Sequence, residues 1–524
     1  MTFRRILTLA LTGLALLALL ASPALAGKLA GEIKLGGIVK DEEAGSDLTA
    51  IHETFNIYDG FSLTRVNLHG VLGQKNYFAL DLREANLDSR RGNFTFRVPD
   101  LAKMNFRYRS HRQLLDAAGG LSSEREIWNG SLVVTPTSAL RLKANYGLQN
   151  RDGDRVIYQA NGPGISGGDY EYKLQTGGVG AEYSTGRRNF GLEYSFSDFQ
   201  DETMARADRR GGLFAVHFRG PCMLAPEYYT HFVRASYGRQ ELDNLGTEST
   251  LSTFQYLGVV KPADPLQLKY RFYADRVDNE VTGYITDYLR NDVDVTYRTH
   301  VGSVFGGYGF VTHDDDVTLT KSNVWRAGAT ARISPRVKAK FSYAGSEKTD
   351  EEQLTLLKDV ESSRLRASLQ IQPTDEMTWG VSYQDRQREF PLLDVSAKGE
   401  RWSAYGRLVR PGIGALNLDF CYSDDEYDDL YGGYRADNRT VTGRVDLEFI
   451  KDLRLSTGLT YLNIGRDLDI EKSILSFEGH YDLLDDYFVE VKYNVYNYDD
   501  YVLLDRYYTA NVVWMNVGYR LSID

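Results

Sequence analysis

The sequence predicts an all-β protein: a single large antiparallel transmembrane β-barrel of about twenty-six strands, within a range of roughly 22 to 28. Three observations predict it. Apolar and polar residues alternate with a period of two along almost the whole chain. Short turns and longer polar stretches follow one another at hairpin spacing. Tyrosine is abundant, at 36 residues against 12 proline, and its apolar ring with a polar tip suits a membrane–water interface.

Taken from the start, Arg4 and Arg5 precede an apolar run from Ile6 to Leu20, and Ala24-Leu25-Ala26 gives a small-x-small pattern. These are the three parts of a secretory signal, so residues 1–26 are expected to be removed and 27–524 to form the barrel. The apolar run is too short for a spanning helix, and no later window offers one.

From about residue 29 onward, some twenty-six alternating segments of about eight to eleven residues can be marked, the length that crosses a bilayer on a tilt. Leu140, Leu142, Ala144, Tyr146 and Leu148 alternate with Arg141, Lys143, Asn145 and Gln149. Leu266, Leu268, Tyr270, Phe272 and Ala274 alternate with Gln267, Lys269 and Arg271. The same phase runs through Val337–Tyr343, Leu365–Ile371 and Val441–Phe449, and the last face is Val513, Met515, Val517, Tyr519, Leu521 and Ile523. The chain ends Leu521-Ser522-Ile523-Asp524, without the aromatic terminal residue common in such barrels.

Short connections are expected at Ser334-Pro335-Arg336, Gln372–Asp375, Arg410-Pro411-Gly412, Ile450-Lys451-Asp452 and Leu483-Leu484-Asp485. Long acidic extracellular loops are expected at Gly345–Ser362, Asp385–Glu400, Ser423–Asn438 and Tyr496–Tyr507. A propeller blade would pack four short strands into a repeat of this length, whereas two long ones are seen here. Lipid demands that such strands close on themselves, because an open edge leaves backbone groups unpaired.

Closing about twenty-six strands spaced 4.8 Å and tilted about 40° gives a backbone radius of roughly 26 Å. A lumen that wide would leak metabolites unless filled. The strands begin almost at the mature N-terminus, which leaves no room for the plug domain of a siderophore-type transporter, and no usher plug or extra assembly domain is visible. Either the chain's own loops fold inward or another protein fills the barrel.

Together with the signal sequence and long acidic, Tyr-rich stretches such as Asp424-Asp425-Glu426-Tyr427-Asp428-Asp429, this plan resembles the MtrB/PioB type of outer-membrane porin, the barrel subunit of porin-cytochrome conduits. The resemblance is architectural and covers the mature chain. It lacks the Cys-x-x-Cys that some members carry near the mature N-terminus. It implies a sheath in the bacterial outer membrane. A periplasmic multihaem c-type cytochrome would sit in the lumen and an extracellular cytochrome would dock at the mouth, so that electrons cross the membrane. Haem is expected only on those partners, since no Cys-x-x-Cys-His occurs in this chain. The alternatives are a diffusion or substrate-selective porin with inward-folded loops, and a scaffold for another exported protein.

Candidate lumen-facing cations are Arg97, Arg107, Arg109, Arg141, Lys143, Lys269, Arg271, Lys338, Lys340, Arg364 and Arg366. Acids that offset them include Asp81, Asp292, Asp294, Asp446, Glu448, Glu478 and Glu490. The wall is either solvated and laced with cross-strand ion pairs, or a surface that docks an acidic partner or passes anions. The net charge of -11 argues against a nucleic-acid partner. His69, His217 and His480 stand at polar strand positions, and no nucleophile–base set, phosphate loop or zinc pair is apparent, so neither an enzyme nor a metal site is expected. Thr312-His313-Asp314-Asp315-Asp316 lacks a calcium-loop pattern and reads as a solvated loop. Cys222 reads as a turn residue and Cys421 as a strand residue in polar phase, and the two are not expected to pair.

Overall fold

The computed structural model describes residues 26–44, 60–73, 75–87, 89–114, 122–159, 162–203, 206–243, 246–351, 359–428, 433–502 and 507–523. Residues 1–25 of the expected signal segment lie outside them, and Ala26 begins the first strand. Twenty-six β-strands make up the fold. The first thirteen are β1 (Ala26–Ala44), β2 (Gly60–Leu72), β3 (Asn76–Arg83), β4 (Arg90–Val98), β5 (Ala102–Leu114), β6 (Ser122–Val134), β7 (Leu140–Gln159), β8 (Gly162–Thr185), β9 (Arg188–Asp201), β10 (Arg209–Pro221), β11 (Tyr229–Leu242), β12 (Thr247–Ala263) and β13 (Leu266–Asn279). The rest are β14 (Ile285–Thr299), β15 (Gly302–Asp314), β16 (Leu319–Ser334), β17 (Val337–Asp350), β18 (Val360–Thr374), β19 (Met377–Phe390), β20 (Val395–Arg410), β21 (Gly414–Tyr427), β22 (Tyr434–Ile450), β23 (Leu453–Arg466), β24 (Ile470–Asp482), β25 (Tyr487–Asp500) and β26 (Tyr507–Ile523).

Every strand pairs antiparallel with its neighbours in sequence, and β26 pairs with β1 from Leu29–Ile523 to Ala44–Tyr508. The sheet is therefore a closed ring with no free edge. Turns of two residues join β16 to β17, β18 to β19 and β22 to β23, all at one end. Gly186, with φ 58°, and Asp452, with φ 64°, supply the left-handed positions that such tight turns need. The start of β1 and the end of β26 lie at this same end, which makes it the periplasmic one by the usual plan of these barrels.

At the opposite end the rim is uneven. β7 and β8 run 20 and 24 residues, whereas β3 and β4 have 8 and 9. The acidic stretches expected as long loops are largely strand. β19 continues to Phe390 and β20 starts at Val395, so the Asp385–Glu400 stretch contains a turn of residues 391–394. Likewise β21 reaches Tyr427 and β25 reaches Asp500. Polar residues on both faces signalled a loop, but a strand that rises beyond the lipid is also polar on both faces.

Directly paired residues in an antiparallel ladder point to the same face. Followed through all the pairings, the register divides the wall into two faces without a break. One carries the large exposed apolar side chains, among them Leu192, Tyr194, Phe214, Val293, Phe341, Trp379 and Leu418. The other carries polar residues and lines the clefts of the molecule, as a concave inner face does. The apolar face is thus the outer one. Its belt covers about seven to nine residues of each strand, for example Leu416, Leu418, Phe420 and Tyr422 on β21 before Asp424 and Glu426. With a rise of about 3.4 Å and a tilt of about 40°, that is roughly 20–25 Å of lipid-facing height.

Tyrosines mark the upper edge of the belt. Tyr146, Tyr270, Tyr308 and Tyr493 each donate a hydroxyl to an amide oxygen on the next strand, Gln175 at 3.0 Å, Asn291 at 2.9 Å, Asn323 at 2.6 Å and Asn511 at 2.8 Å. Above this girdle the outer face becomes ionic, with Arg239–Glu248 at 3.1 Å, Arg439–Asp437 at 2.8 Å and Arg466–Asp424 at 2.7 Å. Charged pairs there place the outer parts of the strands in water.

Candidate functional site: the lumenal wall

Register puts all eleven candidate cations on the inner face. Arg97 stands on β4, Arg107 and Arg109 on β5, Arg141 and Lys143 on β7, Lys269 and Arg271 on β13. Lys338 and Lys340 stand on β17, Arg364 and Arg366 on β18. Two of them have carboxylate partners. Lys143 pairs with Glu182 across to β8, and Arg271 reaches Asp294 at 2.5 Å. Arg366 donates instead to the Gln384 amide at 2.8 Å. Among the described residues the other eight make no ion pair within 4 Å.

The inner wall is zoned. On β4 to β7 the inward positions hold Arg91, Arg97, Lys103, Arg107 and Arg109, then Arg125, Arg141, Lys143 and Arg151, and no Asp or Glu among the described residues. On β16 to β20 they hold Arg326, Arg332, Lys338, Lys340 and Lys348, then Arg364, Arg366, Arg386, Arg388, Arg401 and Arg407. The one inward carboxylate described in that stretch is Asp350, at the far end of β17.

Carboxylates collect in the rest of the ring, where many of them are paired. Lys34 binds Glu490 at 3.0 Å, Arg65 binds Asp81 at 3.2 Å, and Arg444 binds Asp446 at 2.8 Å. Arg520 pairs with Asp482, which also lies 3.1 Å from His480 Nε2. On β14, Asp292 is buried and takes Arg290 at 2.8 Å, while Asp294 takes Arg326 at 2.6 Å. Cross-strand ion pairing thus accounts for much of the charge in these sectors, though not for the two cationic arcs; among the described residues Lys269, Asp275, Asp419 and Glu448 make no ion pair within 4 Å.

Sequence periodicity missed one inner feature. Ile38, Tyr496, Tyr498, Tyr508, Ala510 and Val512 form a buried cluster on the inner face, at the extracellular end of β25, β26 and β1. Leu87, from the turn after β3, packs against it, so that turn folds inward. Asn86 pins the turn by donating to the Phe61 carbonyl at 2.7 Å and accepting from the Leu63 amide at 2.8 Å. The available signal was an inversion of phase: Tyr508, Ala510 and Val512 alternate with polar Thr509 and Asn511, opposite to the phase of Val513, Met515 and Val517.

The remaining candidates lie apart. His217 Nε2 is 3.3 Å from Asn189 Oδ1 on the inner wall, and His69 faces inward on β2. Asp314, Asp315 and Asp316 accept backbone hydrogens of Asp316, Thr318 and Ile285 at 3.1, 2.7 and 2.6 Å, which is turn-forming work. Cys222 follows β10 in a turn, Cys421 faces inward on β21 and accepts from Arg401 at 3.1 Å, and the two are not bonded.

A closed ring of 26 antiparallel strands, with an apolar belt outside and a polar wall inside, defines a large transmembrane β-barrel of the outer-membrane type. No family model matches the chain, and no curated protein is similar to it. Solved structures with a similar fold include the FrpB iron transporter from Neisseria meningitidis, at 9% identity over 81% of this chain and 82% of that one, with a TM-score of 0.49. The siderophore receptor PirA from Pseudomonas aeruginosa is 13% identical over 82% and 86%, with a TM-score of 0.48. A ferric enterobactin receptor (PfeA) mutant from the same organism, in complex with enterobactin, is 10% identical over 95% and 82%, with a TM-score of 0.49.

Proposed function

We propose that this barrel is an outer-membrane sheath. It houses a periplasmic multihaem c-type cytochrome in its lumen and presents it to an extracellular one, so that electrons cross the membrane. The observation that carries the reading is the width of the ring. Twenty-six strands set a backbone radius of roughly 26 Å, and side chains narrow the bore to about 35 Å. A compact protein of about 100 residues has a radius of gyration near 13 Å, hence a diameter of about 34 Å, and would fill it. In this reading the chain supplies no plug of its own and does no redox chemistry. It excludes lipid, keeps the haem chain in place and insulates it from solutes. The identity of the occupant as a cytochrome comes from the likeness to MtrB/PioB-type porins described above.

A second reading is a porin narrowed by its own inward-folded segments. The observation in its favour is the turn carrying Leu87, which lies on the inner wall.

The test is an absorbance spectrum of the complex. The tagged barrel is extracted from native outer membranes in mild detergent and purified. A haem Soret band with haem-stained companions in stoichiometric amount is expected. This chain has no Cys-x-x-Cys-His, so covalently bound haem in the sample belongs to a partner. An intact, colourless barrel on its own would sink the cytochrome reading and favour the porin.

A further inference from the structure

The two cationic arcs face each other. β5 and β18, near their centres, are thirteen places apart in a ring of 26 strands, which is half the circumference. Within each arc like charges stand directly opposite in the ladder: Arg91 faces Arg109, Arg97 faces Lys103, and Arg364 faces Arg386. Such pairs are destabilising where nothing intervenes. The chain is not short of acid, with 72 Asp and Glu against 61 Lys and Arg. Its inward carboxylates stand elsewhere in the ring, many of them paired with cations such as Lys34, Arg65, Arg444 and Arg520. Apart from Asp350 at the far end of β17, they reach the arcs only at the edges, where Glu182 meets Lys143, Asp294 meets Arg326 and Asp425 meets Arg386.

We infer that these arcs are two halves of one docking surface, which grips an acidic protein on opposite flanks. The inference rests on the lumen having a protein occupant, as proposed above, and adds the charge that occupant must carry and where. A solute filter is a poor match. The arcs are separated by about 50 Å of backbone diameter, and fields in about 0.1 M salt fade within about 10 Å. No small anion in the bore feels both walls, whereas a body that fills the bore touches both. Acidic flanks on that body relieve the repulsion within each arc, and the two contacts set its rotation about the barrel axis. The sectors between the arcs carry acids and bases together and hold no comparable excess of one sign.

The experiment uses the purified barrel, without its occupant, in planar bilayers, with polyglutamate as a stand-in for an acidic protein surface and polylysine as the control. Polyglutamate is expected to block the current in 0.1 M KCl and to lose its hold in 1 M KCl, while polylysine does not block. Replacing Arg97, Arg107 and Arg109 by Gln, or Lys338, Lys340 and Arg364 by Gln, should each weaken the block. Both sets together should raise the half-blocking concentration on the order of tenfold. Equal block by the two polymers overturns the inference and needs no variant, so a variant that fails to insert does not shield it. A doubly neutralised barrel blocked like the wild type also overturns it. The outcomes separate the two ideas. A colourless native complex removes the cytochrome but leaves polyglutamate block intact. A haem-bearing complex whose barrel does not distinguish the polymers removes the arcs alone.

Discussion

Gly518→Ala should loosen the seam where the two ends of the chain meet. Gly518 on β26 lies between Phe488 on β25 and Lys34 on β1, all on the inner face. The Phe488 ring is fully buried in the slot that the missing side chain leaves. It stacks on His480 at 4.7 Å and lies under Lys34 Nζ at 5.1 Å and the Arg520 guanidinium at 4.9 Å. A Cβ at position 518 would overlap the edge of that ring, far inside the roughly 3.5–4.0 Å of a carbon–carbon contact. The ring must therefore leave its seat. Complete loss of its burial costs about 2–3 kcal/mol, and the two cation–π contacts add about 0.5–1 kcal/mol each. Alanine returns about 0.5–1 kcal/mol because glycine loses more backbone freedom on folding. The net destabilisation is about 2–4.5 kcal/mol. It is read as the shift in urea midpoint of barrels refolded into phospholipid vesicles. Phe488→Ala in the same background should be strongly non-additive, since the clash has then already been removed. A G518A barrel within about 0.5 kcal/mol of wild type, or strict additivity with F488A, would refute the reasoning.

Two further outcomes follow from the register and the ion pairs. Leu192→Arg, in the middle of the outer belt on β9, should destabilise the barrel by about 2–4 kcal/mol, whereas Ser195→Arg on the same strand faces the lumen and should stay within about 0.5 kcal/mol in vesicle refolding titrations; equal effects would mean that the faces are assigned the wrong way round. Asp292→Asn removes the buried charge held by Arg290 and bordered by Arg271 and Arg326. With guanidiniums that are partly exposed, the loss should be about 2 kcal/mol, below the 3–5 of a fully buried pair, and a midpoint unchanged by the substitution would show that the cluster is solvated.

The belt was legible because lipid leaves so few choices. Inside it a strand must be apolar on one face, so Leu140–Gln149, Leu266–Ala274 and Val337–Tyr343 carried phase and length together. Beyond it that constraint lapses. Asp385, Gln387 and Glu389 are outward residues of β19 above the girdle, and water accepts them as readily as a loop would. Nothing local separates such a strand from a loop, because what holds it is the ladder to β18 and β20, a property of neighbours rather than of its own sequence. The cluster around Tyr508 escaped notice for a different reason: a wall covered by Leu87 is apolar where a wet lumen would be polar, so alternation continued there with its apolar phase turned inward.

The candidate site shows the same limit at a larger scale. Parity alone placed each cation on the polar phase of its own strand, and register keeps all eleven together on the inner face. Whether a given arginine is neutralised is settled by the neighbouring strands, and those partners can be remote in sequence. Lys34 and Glu490 are joined only because β1 closes against β26, beside β25. The opposition of the two arcs lies further still from the sequence, since it depends on how many strands separate them around a ring whose number local patterns fix only approximately. Adding or removing a hairpin between β8 and β15 would leave every strand pattern intact and rotate one arc away from its counterpart. If both flanks of an occupant must be gripped, the strand count of this barrel is constrained by that occupant as well as by the membrane.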